Sequence, residues 1–138
     1  MHRIFRRVGA LLSLCTLGCN QNPLRVACRP VEGPYCLERS ENGRYYLRDR
    51  RQSDGLDRGG VLGGPALRLT RAPGVILAQR QSIAGGEIEW MLVNVGADTI
   101  IGPLTQADVD ARSALPRASE AVPSALLWDQ LPETEGSR

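Results

Sequence analysis

Four carboxylates stand at spacings that suit general acid–base work: Glu87 with Glu89, and Asp108 with Asp110. Residues two apart share one face of a strand, and a glycosidase-type pair needs carboxyls roughly 5–9.5 Å apart across a cleft. No cleft is legible from the chain. Acids at a strand edge are solvated, and acids at a helix N-terminus are favoured there without any catalytic duty. The residue inventory removes other chemistries. His2 is the only histidine, and lysine does not occur. The body after the first segment therefore has no Ser-His-Asp or Cys-His arrangement, no Schiff-base lysine and no histidine-ligated zinc. The expectation is a non-enzyme with no catalytic residue, no cofactor and no metal.

Two further constellations invite a reading. Gly59-Gly60-Val61-Leu62-Gly63-Gly64 has the glycine content of a phosphate loop but lacks the following Lys-Ser/Thr. It reads as a flexible connection within the glycine-rich stretch from Ser53 to Pro65. Tyr45, Tyr46, Arg48, Arg50 and Arg51 form the densest aromatic and basic cluster. Planar guanidinium donors beside aromatic rings suit an anionic glycan, a headgroup or an acidic partner. These five are the candidate partner-binding residues, although Asp49, Asp54 and Asp57 dilute their charge. The plainer reading is a strand edge with half-buried tyrosines and solvated arginines. Trp90 and Trp128 have the spacing of core anchors.

Cysteines and charge divide the chain of 138 residues into a leader and a body. Met1 to Arg7 carries three arginines and no acid, and Val8 to Leu17 is almost uninterruptedly apolar or small. That run of about ten residues is half of the roughly 20 a spanning helix needs, so the pattern is that of a secretory signal. The 17 basic residues face 15 acidic ones, and setting aside Arg3, Arg6 and Arg7 leaves 14 against 15. The body has no positive excess to hold a phosphate backbone, so no nucleic-acid partner is expected. Cys28 and Cys36 flank Pro30, Gly33 and Pro34, which let the chain turn back. In an oxidising compartment they read as a disulfide closing a small loop, with free thiols as the alternative.

Thr16-Leu17-Gly18-Cys19 resembles the lipobox of bacterial lipoproteins. The resemblance covers four residues, with Thr16 in place of the usual leucine. It implies a diacylglycerol group on the Cys19 thiol, removal of residues 1–18 and a membrane anchor of palmitate-like acyl chains. Asn20 follows in place of the aspartate that retains such proteins at the inner membrane. The resemblance therefore implies the outer membrane, facing the periplasm, in a Gram-negative cell. Eight connector residues, Asn20 to Ala27, span at most about 25 Å.

The elements that must position these residues follow from periodicity. Tyr45 to Arg48 follows an Asn42-Gly43 turn and reads as a short strand. Ala66 to Arg71 alternates with Leu67 and Leu69 on one face. Pro73-Gly74 suits a turn into a partner strand, Val75 to Arg80. Ile88 to Val95 is apolar on both faces, with Ile88, Trp90 and Leu92 opposite Met91, Val93 and Val95, as in a central strand. Thr99 to Ile101 continues the sheet, and Gly102-Pro103 stops it. Thr105 with Asp108 forms a capping-box pattern for a helix from Gln106 to about Ala114. Leu104, Ala107, Ala111 and Leu115 are spaced to face the sheet. Pro123 opens a second helix whose stripe is Leu127, Trp128 and Leu131, and Pro132 ends it.

The expected fold class is α+β: a small antiparallel β-meander of four to five strands with one or two C-terminal helices packed on it. The domain spans 28–132, after a lipidated cysteine and tether at 19–27 and before a loose tail at 133–138. The run from Trp90 to Val95 and on through Ile101 to Thr105 resembles small bacterial envelope proteins, a likeness that carries no activity. The function expected is a non-catalytic envelope lipoprotein that binds another envelope protein or cell-wall material. The alternative is an inhibitor or immunity-type protein acting against an exported hydrolase.

Overall fold

The computed structural model describes residues 27–52, 59–112, 114 and 116–133. The leader with Cys19, Asp54 and Asp57, Leu115 and the tail at 134–138 lie outside the described residues. The fold is α+β, with two antiparallel sheets and two short helices. Strands β1 (Cys28–Glu32), β2 (Tyr35–Arg39) and β3 (Tyr45–Asp49) form one sheet in sequence order. Strands β4 (Ala66–Ala72), β5 (Val75–Gln81), β6 (Ile88–Asn94) and β7 (Thr99–Leu104) form the expected meander. β8 (Val122–Pro123) closes the far edge, giving the order β7-β6-β5-β4-β8.

The segment from Cys28 to Cys36, expected as a disulfide loop, belongs to the β1–β2 hairpin. Tyr35 and Leu37 point into the core while Cys36 and Glu38 point out, and all four are buried. Burial on both faces erases the alternation that marks a strand. Pro30 fits because β1 is an edge strand, where a missing N–H leaves no central ladder broken. Gly33 takes a left-handed φ of 53° in the turn, and a Cβ there would meet Val95 Cγ1 at 2.6 Å.

β6 is a central strand, as its two apolar faces require. Met91 and Val93 join Val31, Tyr35, Leu37, Leu47, Leu69, Ile76 and Ala78 in the core between the sheets. Trp90 turns the other way and packs with Leu77, Val109, Ala118 and Ala121. The molecule thus has three layers: the small sheet, the large sheet, and a thin cover. Helix α1 (Gln106–Asp110) and a 3-10 turn at Ala118–Glu120 make that cover.

Two expectations at this edge are corrected. The sheet does not stop at Gly102-Pro103. β7 continues to Leu104, because Pro103 lies on an edge strand and the register shifts between Trp90 and Leu92. Helix α1 ends at Asp110, well short of Ala114. Its capping box forms as the pattern indicates, with Thr105 Oγ1 accepting from the Asp108 N–H and Asp108 accepting from the Thr105 N–H. On so short a helix Val109 is the buried residue, while Ala107 and Ala111 stay exposed. A valine removes more apolar surface from water than an alanine does.

Helix α2 (Ser124–Gln130) follows Pro123, and Leu127, Trp128 and Leu131 are buried beneath it. The Ser124 hydroxyl donates to the Ala66 carbonyl at 2.6 Å and fixes the helix start to β4. The segment read as a flexible glycine connection is structured where it is described. Gly60–Leu62 forms a 3-10 turn, and Gly60 lies so close to Leu47 O that a side chain has no room.

Candidate functional site

Strand alternation divides the aromatic and basic cluster instead of presenting it on one surface. Tyr45 faces inward beside β3's Leu47, and its ring lies 5.8 Å from that of Trp128. Tyr46 and Arg48 lie on the outer face of the small sheet. Arg48 Nη1 donates to Glu38 Oε1 at 3.0 Å across the β2–β3 pair. Arg50 is exposed just past the strand. Arg51 turns back at the sheet end and grips Asp49 through Nε at 3.0 Å and Nη2 at 2.8 Å. Of the five candidate partner-binding residues, the structure brings Tyr46 and Arg48 together on one face. It assigns Tyr45 to the core and Arg51 to an ion-pair network.

That network ties the two sheets at the Gly33 end. Asp98 takes a left-handed φ of 56° in the β6–β7 turn. It accepts from Arg51 Nη2 at 2.6 Å and from the Tyr35 hydroxyl at 2.9 Å. The Arg51 hydrogen bonds hold the Asp49 and Asp98 carboxyls below the usual carboxylate range, and Tyr35 adds to the effect at Asp98. Burial, reinforced by its bond to Asp98, pushes the Tyr35 phenol up to about 12. Arg71 donates to the Val31 carbonyl, and Glu32 Oε2 accepts from the Gly74 N–H at 3.1 Å. These four contacts link one sheet to the other near their turns. Their geometry is that of a clamp.

The opposite end is closed by a stack. Arg29 lies over the Trp128 ring with Cζ 4.3 Å from the centroid, and its Nη1 donates to the Trp128 carbonyl at 2.7 Å. Glu133 pairs with the same guanidinium at 3.2 Å. A cation above an indole face is favourable, more so where water is excluded.

Sequence reasoning missed Glu38. It is 1% exposed, and Oε2 has no hydrogen-bond partner. Burial raises its proton affinity, and Arg48 opposes the rise. An acid inside the run Tyr-Cys-Leu-Glu-Arg was the one available signal. On the same outer face Cys28 and Cys36 form a disulfide, with their Cα atoms 5.5 Å apart.

The four carboxylates do not form an acid–base pair. Glu87 is exposed, while Glu89 accepts from Arg80 at 3.1 Å. Asp108 is spent on the helix cap, which holds its carboxyl low. Asp110 accepts from Gln106 Nε2 at 3.0 Å and borders a hollow of about 390 Å³ with Arg112 and Arg117. Each is accounted for by a structural neighbour or by solvent. Among the described residues no three His, Cys, Asp or Glu side chains are grouped to hold a metal. No described helix is long and apolar enough to cross a membrane. No protein-family model, curated protein or solved structure matches this chain.

Proposed function

We propose that this protein is a small, non-catalytic envelope lipoprotein, anchored by acyl chains on Cys19, whose sandwich binds another envelope protein or cell-wall material. The observation that carries the reading is the pairing of Cys28 with Cys36. It accounts for both body thiols after the tether, so the lipobox cysteine is left without a partner among the described cysteines. An exported thiol of that kind suits acylation. The disulfide also fits an oxidising compartment.

The test is metabolic labelling with a clickable fatty acid. Wild-type chain should carry label and fractionate with membranes, and Cys19→Ser should carry none. Label on both forms, or on neither, overturns the anchor. In-cell cross-linking of the tethered protein then identifies the partner, with an unrelated lipoprotein as control.

A further inference from the structure

The described strands all run between two ends of the sandwich. Glu32, Tyr35, Asp49, Ala72, Val75, Asn94 and Thr99 lie at one end, joined by the Asp98 clamp. Cys28, Arg39, Tyr45, Ala66, Gln81 and Ile88 lie at the other. The chain enters β1 at Cys28, so the tether arrives at this second end. Among the described residues this end carries the three most exposed large apolar side chains, while Ile100 and Ile101 on β7 are 40% exposed. Ile83 is 56% and Ile88 60% exposed, and Leu126, on the helix that crosses this end, is 48% exposed. Ile83 stands in the β5–β6 turn, closed by Ser82 N–H to Glu87 O at 2.8 Å and Gly86 N–H to Ser82 O at 2.8 Å. From Ser82 to Gly86 that turn holds no charge.

We infer that this end is the membrane-facing end, with the Ser82–Gly86 turn and Ile88 dipping into the lipid interface. The inference rests on the Cys19 anchor proposed above. Two lengths bear on the orientation. The tether reaches at most about 25 Å, and the five-residue β1, along which it would run back, is about 17 Å long. Placing the Asp98 end against the bilayer would use most of the tether merely to run back along the sandwich. With the Cys28 end down, that reach is not needed. Exposed isoleucines then meet a medium in which they are favourable. Among the described residues Arg39 and Arg44 at this end are offset by Glu41 and Glu87, so apolar contact and not charge is expected to hold the turn, with a seating insensitive to salt. The Asp98 end is left pointing toward a partner.

The test uses the lipidated chain purified from membranes. It is reconstituted in phosphatidylethanolamine–phosphatidylglycerol vesicles with brominated acyl chains. Ile83→Trp reports the Cys28 end, Ala97→Trp the Asp98 end and Ile101→Trp the β7 edge. Native Trp90 and Trp128 are 3% and 5% exposed and supply a constant background. Bromolipid should quench the Ile83→Trp emission about twofold or more beyond either control, at low and high salt alike. Equal quenching of all three, stronger quenching at Ala97→Trp or Ile101→Trp, or no quenching above background overturns the orientation while leaving the anchor standing. Wild-type chain that floats with vesicles no better than Cys19→Ser overturns the anchor and the orientation together. Circular dichroism of each variant confirms the fold before quenching is read.

Discussion

Three described residues with shifted proton affinity, Tyr35, Asp49 and Asp98, belong to the network that holds the two sheets together. Asp98 receives Arg51 and the Tyr35 hydroxyl, and Arg51 also holds Asp49. The signs of the pH dependence follow. Asp49 and Asp98 have lowered proton affinity in the fold, so their contribution is complete above the ordinary Asp value, near pH 4, and falls away as acid protonates them. Tyr35 is raised from 10.0 to about 12, so its contribution is complete below pH 10 and is lost as pH rises through that interval. Tyr35→Phe keeps the ring and removes the bond, and should lower unfolding free energy by about 1 kcal/mol at neutral pH. Urea titrations from pH 9 to 12 should also show a shallower alkaline loss in the variant than in wild type. Identical alkaline limbs would remove the bond from the account. Glu38 acts with the opposite sign to the two aspartates. Its raised proton affinity means that ionising it takes stability away as pH climbs above the ordinary glutamate value.

At the scale of elements, the β1–β2 hairpin is short, carries a proline and has a register shift between Pro30 and Glu32. A two-stranded ribbon of this size is marginal alone. The Cys28–Cys36 bond closes it, with a sequence separation of 8. Replacing both cysteines by serine should cost roughly 2–3 kcal/mol through the freer unfolded chain. Chemical denaturation of the double variant beside the oxidised wild type measures the difference. Addition of a reductant should bring the wild type to the variant's midpoint, and a midpoint unmoved by either change would leave the hairpin held by its core contacts alone. Helix α2 shows the complementary case. It is only seven residues long, so packing and not propensity holds it.

At the scale of the whole molecule, both sheets bury their inner faces in one core that α2 plugs at the Cys28 end. Trp128 touches both halves. It packs with Tyr45 of the small sheet, lies under Arg29 of β1, and belongs to the helix fixed to β4. Trp128→Ala should therefore cost about 3–5 kcal/mol, a large share of the roughly 5–15 kcal/mol that such domains possess. Loss should be cooperative, with tyrosine fluorescence and far-ultraviolet dichroism changing together on heating. Separate transitions for the two signals would show that the sheets do not share a core.

Local pattern by itself determined the β4–β7 meander, the central place of β6, the Thr105 cap, the α2 stripe and the α+β class. Each rests on neighbours in sequence: alternation, a turn dipeptide, a cap three residues from its partner. It also determined that the body lacks histidine and lysine. Tertiary structure alone decided the rest. Strand β2 is buried on both faces, so its period is silent. The fate of Tyr45, Arg48 and Arg51 depends on Trp128, Glu38 and Asp98, and the first and last of these lie far away in sequence. Contacts between distant segments form only once two sheets meet, and no local period encodes which side chain will be waiting there.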